Sequence, residues 1–227
     1  MSPRQSSTPA ILFDLDGTLV DTVYEHVLAW SAALRRGNIH VPRWKIQRRV
    51  GMSGKSMLRQ LFREEGIRRG ARDLEMLEAR HDAEFRRATR TVQVLPGARE
   101  LLRFLRQNEV PWAIATTGNA KQTKRLLRSL QIPNQTTVVT GDDVEQAKPS
   151  PDVFMLAAER LGHLMENCIV VGDSIWDMLA AGRKRALGVG LLTGGYSKAE
   201  LEESGAFRVY ADPADLQAHV EDLGLEQ

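Results

Sequence analysis

The sequence contains a single cysteine, Cys168, and no apolar run long enough to cross a membrane. One cysteine excludes an internal disulfide and fits a reducing compartment. The segment MSPRQSSTP lacks the long apolar core of a signal peptide, and we predict a disordered tail over residues 1–9. These absences predict a cytoplasmic protein with no membrane partner.

The net charge is also small, but it is unevenly distributed. The chain carries 31 lysines and arginines against 29 aspartates and glutamates, yet residues 22–92 hold 16 of the basic and only 8 of the acidic residues. Such a basic segment could attract an anionic substrate through its field, or it could present arginine-rich helix faces to solvent. Because acids alternate with the basic residues and no interleaved aromatics accompany them, we expect no nucleic-acid binding.

Hydrophobic periodicity divides the chain into two kinds of structure. Between residues 22 and 92, apolar residues recur at helical spacing and glycines interrupt them, which predicts a small helical bundle. After residue 92, short apolar runs alternate with helical stretches, which predicts βαβ units and a parallel sheet. The predicted fold class is therefore α/β, with a core formed by residues 10–21 and 93–227 and an inserted all-helical domain over residues 22–92.

Polar residues stand where the predicted core strands end. The predicted strands are 10–13, 112–115, 138–139, 168–171 and 189–192, and the helices between them are 99–106, 121–130, 152–161 and 177–184. In an open parallel sheet, ligands bind beyond the carboxyl ends of the strands. The residues expected to converge there are Asp14, Asp16, Thr116, Thr117, Gly118, Asn119, Lys148, Asp173 and Asp177.

These residue types suit phosphoryl transfer. A carboxylate at a strand end, Asp14, can attack phosphorus and form an acyl phosphate. Asp16 can give a proton to the leaving oxygen and later take one from water, provided that the two carboxyls have different environments. Gly17 lets the chain bend sharply, and Thr18 is expected to orient Asp16.

A divalent cation would offset the repulsion between a phosphate and Asp14. Mg²⁺ is the usual choice beside phosphate, and its predicted protein ligands are Asp14, the backbone carbonyl of Asp16, and Asp173, with Asp177 acting through water or positioning Lys148. Lys148, Thr116 and the backbone N–H of Thr117 are expected to donate to phosphoryl oxygens.

Four ordered motifs carry a family resemblance. Asp14-Leu15-Asp16-Gly17-Thr18 resembles the DxDGT motif of the haloacid dehalogenase (HAD) superfamily, and Thr116, Lys148-Pro149 and the segment GDSIWD over 172–177 resemble its other three motifs. The resemblance covers nearly the whole chain. It implies a Rossmannoid core, a helical C1 cap over residues 22–92, Mg²⁺, an aspartyl-phosphate intermediate and phosphatase activity. Dehalogenases lack the second aspartate, which is present here as Asp16.

Within the superfamily the chain resembles the branch of phosphoglycolate phosphatases and β-phosphoglucomutases. The stretch DTVYEHVLAW is similar to the mutases and includes His26, but Gly54 and His81 stand where the mutases have an arginine and a lysine. The loop over residues 48–55 is the predicted substrate-selecting segment, with Arg49 or Lys55 meeting a carboxylate or a second phosphate. The alternative is an ordinary helix start at this loop.

The predicted function is hydrolysis of a small phosphate monoester, phosphoglycolate-like or sugar-phosphate-like. The predicted substrate-binding residues are Thr117, Gly118, Asn119, His26, Arg49 and Lys55. A sugar phosphomutase and a non-catalytic protein that binds a phosphorylated ligand are the alternatives. The intact Asp14 and Asp16 pair disfavours mere binding. The sequence sets neither the physiological substrate nor the oligomeric state, and a monomer is compatible with it.

Overall fold

The fold is built on a six-stranded parallel sheet. A computed structural model of the protein describes residues 8–225. In chain order the strands of the molecule are β1 (Ala10–Phe13), β2 (Val20–Asp21), β3 (Gln93–Val94), β4 (Trp112–Ala115), β5 (Val138–Val139), β6 (Cys168–Gly172), β7 (Leu187–Leu191) and β8 (Ala206–Tyr210). The order across the main sheet is β5-β4-β1-β6-β7-β8. Most of the predicted tail, residues 1–7, lies outside the described residues.

Helices cover both faces of this sheet. The helices of the molecule are α1 (Val23–Arg36), α2 (Arg43–Gln47), α3 (Gly54–Glu64), α4 (Ala71–Ala88), α5 (Ala98–Gln107), α6 (Ala120–Leu130), α7 (Asp152–Arg160), α8 (Ile175–Gly182), α9 (Lys198–Glu203) and α10 (Pro213–Ala218). Ile11 and Phe13 of β1 pack in the hydrophobic cluster that includes residues of α5, α6 and α10, and Leu12 packs in the cluster of α7 and α8. Alternate residues of a strand point to opposite faces, so β1 is buried on both sides.

Helices α1 to α4 form a hydrophobic cluster of their own. It contains Trp30 and Leu34 of α1, Leu58 and Leu61 of α3, and Leu77 of α4. The chain enters this helical segment through β2 and leaves it through β3, and these two short strands pair antiparallel, with Val20 opposite Val94 and Asp21 opposite Gln93. The β2–β3 ribbon therefore holds the two ends of the helical segment side by side.

The structure confirms the α/β class and the parallel sheet. Strand β7 begins at Leu187, two residues before the predicted start, and β8, α9 and α10 continue the alternation beyond the last predicted strand. Most residues of β8 are partly or fully exposed, as an edge strand permits. Hydrophobicity in the sequence therefore indicates this strand less clearly than it indicates the buried strands. In the described residues, no helix is both long and apolar enough to cross a membrane.

Candidate active site

Asp14 and Asp16 follow β1 on a turn that requires glycine. Gly17 has a φ of 84°, in the left-handed region that favours glycine. A Cβ atom at this position would also overlap the carboxylate of Asp173 and the side chain of Val23. The turn therefore sets both carboxylates at the carboxyl edge of the sheet, as the sequence predicted.

Lys148 lies fully buried beside Asp14. Its Nζ donates a hydrogen bond to Oδ1 of Asp14 at 2.5 Å and lies 2.8 Å from Oδ1 of Asp177. Burial alone would lower the pKa of this lysine, but the two carboxylates raise it above its ordinary value. Lys148 is thus a fixed positive charge at this edge of the sheet, paired with both Asp14 and Asp177.

Three buried carboxylates meet next to this lysine. Oxygens of Asp14, Asp173 and Asp177 all lie within 4.8 Å of one another. Burial raises the pKa of Asp14 to about 7, an effect that Lys148 opposes and Asp177 reinforces. Burial, and then the charges of Asp177 and Asp14, raise the pKa of Asp173 well above its ordinary value. The protein alone therefore does not neutralise this cluster.

The donor set of the cluster fits a hard divalent cation. All the converging ligand atoms are carboxylate oxygens, which Mg²⁺ and Ca²⁺ prefer. One lysine, Lys148, pairs with both Asp14 and Asp177, at 2.5 and 2.8 Å, so three buried carboxylates share a single protein cation. A divalent cation would supply the positive charge that the described residues leave unmatched. We find the residues present suited to hold such an ion.

The residues around Asp16 differ from those around Asp14. Oδ1 of Asp16 accepts a hydrogen bond from the Thr22 hydroxyl at 2.6 Å and lies 3.3 Å from Nε2 of His26. Burial would raise the pKa of Asp16, but the His26 imidazole and the Thr22 hydroxyl bring it below its ordinary value. Asp14 and Asp16, which only Leu15 separates in the sequence, thus occupy the different environments that acid–base chemistry requires.

The predicted role of Thr18 is wrong. Its hydroxyl donates to Oδ1 of Asp173 at 2.8 Å and does not contact Asp16. The bend at Gly17 sends Thr18 toward the end of β6, and Thr22 at the start of α1 takes the position beside Asp16. The sequence offered a second threonine within one turn of the motif, but spacing alone did not identify which hydroxyl faces which carboxylate.

Two stacked histidines connect Asp16 to helix α4. Nδ1 of His26 lies 3.0 Å from Nε2 of His81, and Nδ1 of His81 lies 3.1 Å from Oδ1 of Asp82. The two imidazole planes differ by only 7°. Burial lowers the pKa of His81 to about 4, so this imidazole is neutral at pH 7. His26 therefore belongs to the site, and His81 belongs to it through His26.

The residues after β4 lie opposite Asp16. Thr116 is buried, and its hydroxyl oxygen accepts the Gly118 N–H at 3.0 Å, which leaves the hydroxyl hydrogen free to donate elsewhere. Asn119 caps α6 and its amide donates to Oδ2 of Asp82 at 3.1 Å. The Thr117 hydroxyl donates to the carbonyl of Gly51 at 3.1 Å. These last two contacts join the sheet edge to the helical segment.

A cavity of about 660 Å³ lies between the sheet edge and helices α1, α3 and α4. Asp14, Asp16 and Thr116 line it from the sheet, and Lys55 lines it from α3 with an exposed side chain. Arg49 also lines the cavity, but its guanidinium pairs with Glu64 and donates to the backbone carbonyl of Lys45. Arg49 is therefore engaged by its own helical segment.

A group of contacts around the Arg48 carbonyl was not predicted. The Trp176 indole and the Tyr196 hydroxyl both donate to this oxygen, at 3.3 and 2.8 Å. The Arg48 guanidinium pairs with Glu200 and lies 4.1 Å from the Tyr196 ring centre. These residues hold the helical segment against the sheet domain. The aromatic residues in α8 and before α9 were the only sequence signal for them.

Comparisons with known proteins agree with this geometry. The family of haloacid dehalogenase-like hydrolases matches residues 8–183, and a second model of HAD-like hydrolases matches residues 145–222. Hexitol phosphatase A of Escherichia coli strain K12 is 34% identical over 183 residues, which are 75% of this chain and 78% of that protein.

Solved structures agree as well. The crystal structure of a hydrolase from Pseudomonas syringae is 45% identical, with a TM-score of 0.93 over 95% of this chain and 99% of that one. A HAD family hydrolase from Deinococcus radiodurans R1, solved with bound phosphate and sodium, is 30% identical, with a TM-score of 0.71 over 96% of this chain and 97% of that one. The chain belongs to the haloacid dehalogenase-like hydrolase family.

Proposed function

We propose that the protein is a cytoplasmic, Mg²⁺-dependent phosphatase that hydrolyses a small phosphate monoester through an aspartyl-phosphate intermediate. The observation that carries this proposal is the pair Asp14 and Asp16. One carboxylate lies against Lys148 and an acidic cluster, and the other lies against a hydroxyl and an imidazole. A site that only bound phosphate would not need both a nucleophile and a separate acid.

In the first step, an Asp14 oxygen attacks phosphorus while the bond from phosphorus to the leaving oxygen breaks. Asp16 donates its proton to that leaving oxygen, so that a neutral alcohol departs. In the second step, water attacks the phosphorus of the acyl phosphate, Asp16 takes a proton from the water, and Asp14 leaves as a carboxylate. Lys148, the Thr116 hydroxyl and the Thr117 N–H donate to the phosphoryl oxygens as charge develops on them.

The cation ligands in this proposal are the carboxylates of Asp14, Asp173 and Asp177 and the backbone carbonyl of Asp16. A bound Mg²⁺ supplies positive charge that lowers the pKa of Asp14 and offsets the charge of the phosphate. The negative charge of a bound phosphate in turn raises the pKa of Asp16. The cation and the substrate phosphate together would thus move Asp14 and Asp16 toward the protonation states that the first step needs.

The histidine pair assists Asp16 in this scheme. When neutral His81 donates its Nδ1–H to Asp82, its Nε2 accepts from Nδ1–H of His26. With its Nδ1 held by His81, His26 directs Nε2 at Asp16, 3.3 Å from Oδ1. The Asp82 and His81 contacts therefore fix the orientation of the imidazole beside the general acid.

The helical segment over residues 22–92 serves as a cap in this proposal. It closes over the bound ester, excludes water during phosphorylation of Asp14 and reopens for product release. His26, Lys55 and Arg49 are its substrate-facing residues, with Arg49 available when its pairing with Glu64 breaks. Thr117, Gly118 and Asn119 complete the substrate contacts from the sheet.

The test is phosphate release from a panel of monoesters with Mg²⁺ and with EDTA, beside the Asp14→Asn variant. We expect release that needs Mg²⁺ and is absent in the variant. Release by Asp14→Asn at the wild-type rate would refute the covalent step. Return of an isomer in place of free phosphate, dependent on a sugar bisphosphate, would identify a phosphomutase.

A further inference from the structure

The cap side of the cavity contains an acidic residue that the proposed mechanism does not use. Helix α4 contributes two carboxylates to the lining, Glu78 and Asp82, one turn apart. Asp82 is occupied by the protein, since Asn119 and Gln122 donate to its oxygens at 3.1 and 2.8 Å. Glu78 is half-buried, has the backbone N–H of Lys55 as a donor, and forms no ion pair within 4 Å in the described part of the chain.

The place of Glu78 is set by a close approach at Gly54. A Cβ atom on Gly54 would lie 2.8 Å from Oε1 of Glu78 and 2.9 Å from Cζ2 of Trp30. The carboxylate and the indole edge therefore lie side by side on the cavity wall, and both reach it because residue 54 has no side chain. Burial raises the pKa of Glu78, which the nearby charge of Lys55 opposes.

This wall suits a neutral, hydroxylated group. A half-buried carboxylate without a side-chain donor gains most from hydroxyls that donate to it. Lys55, which lines the same cavity, can donate to hydroxyl oxygens in return. A substrate with a second acidic group would bring its negative charge toward Glu78, and like charges in a partly buried site repel.

We propose that Glu78 determines specificity by accepting hydrogen bonds from hydroxyls of the leaving group, so that phosphates of sugars or polyols are preferred over phosphates that carry a carboxylate. This inference rests on the proposed phosphatase function and names the substrate class of that site. Glu78 acts on binding of the leaving group and takes no part in the transfer of the phosphoryl group.

The experiment compares kcat/KM for three probes: a six-carbon polyol phosphate, phosphoglycolate and p-nitrophenyl phosphate, which has neither a hydroxyl nor a carboxylate on its leaving group. The variants are Glu78→Gln, which removes the charge, and Glu78→Leu, which removes the acceptor. The control is Glu75→Gln, an exposed glutamate on the same helix and outside the cavity lining. Thermal unfolding verifies that each variant is folded.

We expect Glu78→Leu to lower kcat/KM for the polyol phosphate about tenfold, because a hydrogen bond to a charged acceptor is lost. Turnover of p-nitrophenyl phosphate should fall much less than that of the polyol phosphate, Glu78→Gln should raise the relative turnover of phosphoglycolate, and Glu75→Gln should leave all three rates unchanged. Equal changes for all three probes, or a wild-type preference for phosphoglycolate, would overturn the inference. If the wild-type protein released phosphate from none of the three probes, the proposed function itself would fall.

Discussion

Replacement of Asp14 by asparagine should make the cation-free protein more stable. The variant keeps the shape of the side chain and removes one of three carboxylates from a buried cluster. Lys148 keeps a carboxylate partner in Asp177, 2.8 Å away, so the substitution does not leave a buried charge without a counterion. The variant gains stability because, without a cation, burial and the charge of Asp177 destabilise the ionised Asp14 of the wild type.

The magnitude follows from the shifted pKa of Asp14. This pKa is about 7 in the folded protein and 3.8 as the ordinary value. Because the folded-state pKa lies above the unfolded value, the contribution of this carboxyl to the free energy of unfolding is fully present below pH 3.8. That contribution is lost as the pH rises to about 7. Each pKa unit corresponds to about 1.4 kcal/mol, so the loss at pH 8 is about 4 kcal/mol, against about 2 kcal/mol at pH 5.

The assay is urea unfolding in EDTA at pH 5 and pH 8. Asp14→Asn should exceed the wild type in free energy of unfolding at both pH values, with the larger gap at pH 8. An exposed control, Asp21→Asn, should leave the free energy of unfolding unchanged at both. Saturating Mg²⁺ should stabilise the wild type by about 3 kcal/mol at one hundred times its dissociation constant, and the variant by less.

Two results would refute this reasoning. A variant that is less stable than the wild type in EDTA at pH 8 would mean that Asp14 contributes favourable interactions even without a cation. A gap that does not widen between pH 5 and pH 8 would mean that the carboxyl does not titrate in this range. Either outcome would remove the electrostatic basis for a cation site beside Asp14.

Three further predictions concern other contacts. His81→Phe should slow hydrolysis of alkyl phosphates about tenfold and that of aryl phosphates less, since only a poor leaving group needs the proton from Asp16; equal slowing would contradict a role in acid catalysis. Gly17→Ala should weaken activation by Mg²⁺, seen as a higher half-saturating concentration, because its methyl group would overlap Asp173. Tyr196→Phe removes one donor to the Arg48 carbonyl and should raise KM several-fold with little effect on folding; an unchanged KM would show that this contact does not hold the cap.

The sheet edge was predictable because parallel topology constrains it. Any polar residue that directly follows a buried parallel strand must lie at the same edge, so Asp14, Thr116 and Asp173 could be placed together from the sequence. Lys148 does not follow β5 directly, but its position in the chain after that strand placed it at the same edge. The fully buried ion pair that it forms with Asp14 agrees with that placement.

Contacts between the helical segment and the sheet could not be derived in this way. Helical periodicity indicates which face of α4 is buried, and His81 lies on that face with Leu77 and Phe85. Periodicity does not indicate which residue of α1 meets it, so the pairing with His26 was not predicted. Arg49 shows the same limit, because it lies in the loop after α2 and its partner Glu64 lies 15 residues away, at the end of α3.

The proposed separation between residues that act on the phosphoryl group and residues that contact the leaving group can be tested as a whole. Every group that acts on the phosphoryl group in the proposed mechanism comes from the ends of β1, β4 and β6 or from the Lys148 segment. Lys55 comes from α3 and Glu78 from α4, on the other side of the cavity. Changes at Lys148 or Thr116, which contact the phosphoryl group alone, should therefore scale the turnover of all substrates together, because every ester undergoes the same change at phosphorus. Changes on α3 and α4 should alter the ratio between substrates, because only the leaving group contacts them. If substitutions at Lys55 or Glu78 scaled all substrates equally, the helical segment would be acting in closure alone, and substrate choice would have to lie in the sheet domain.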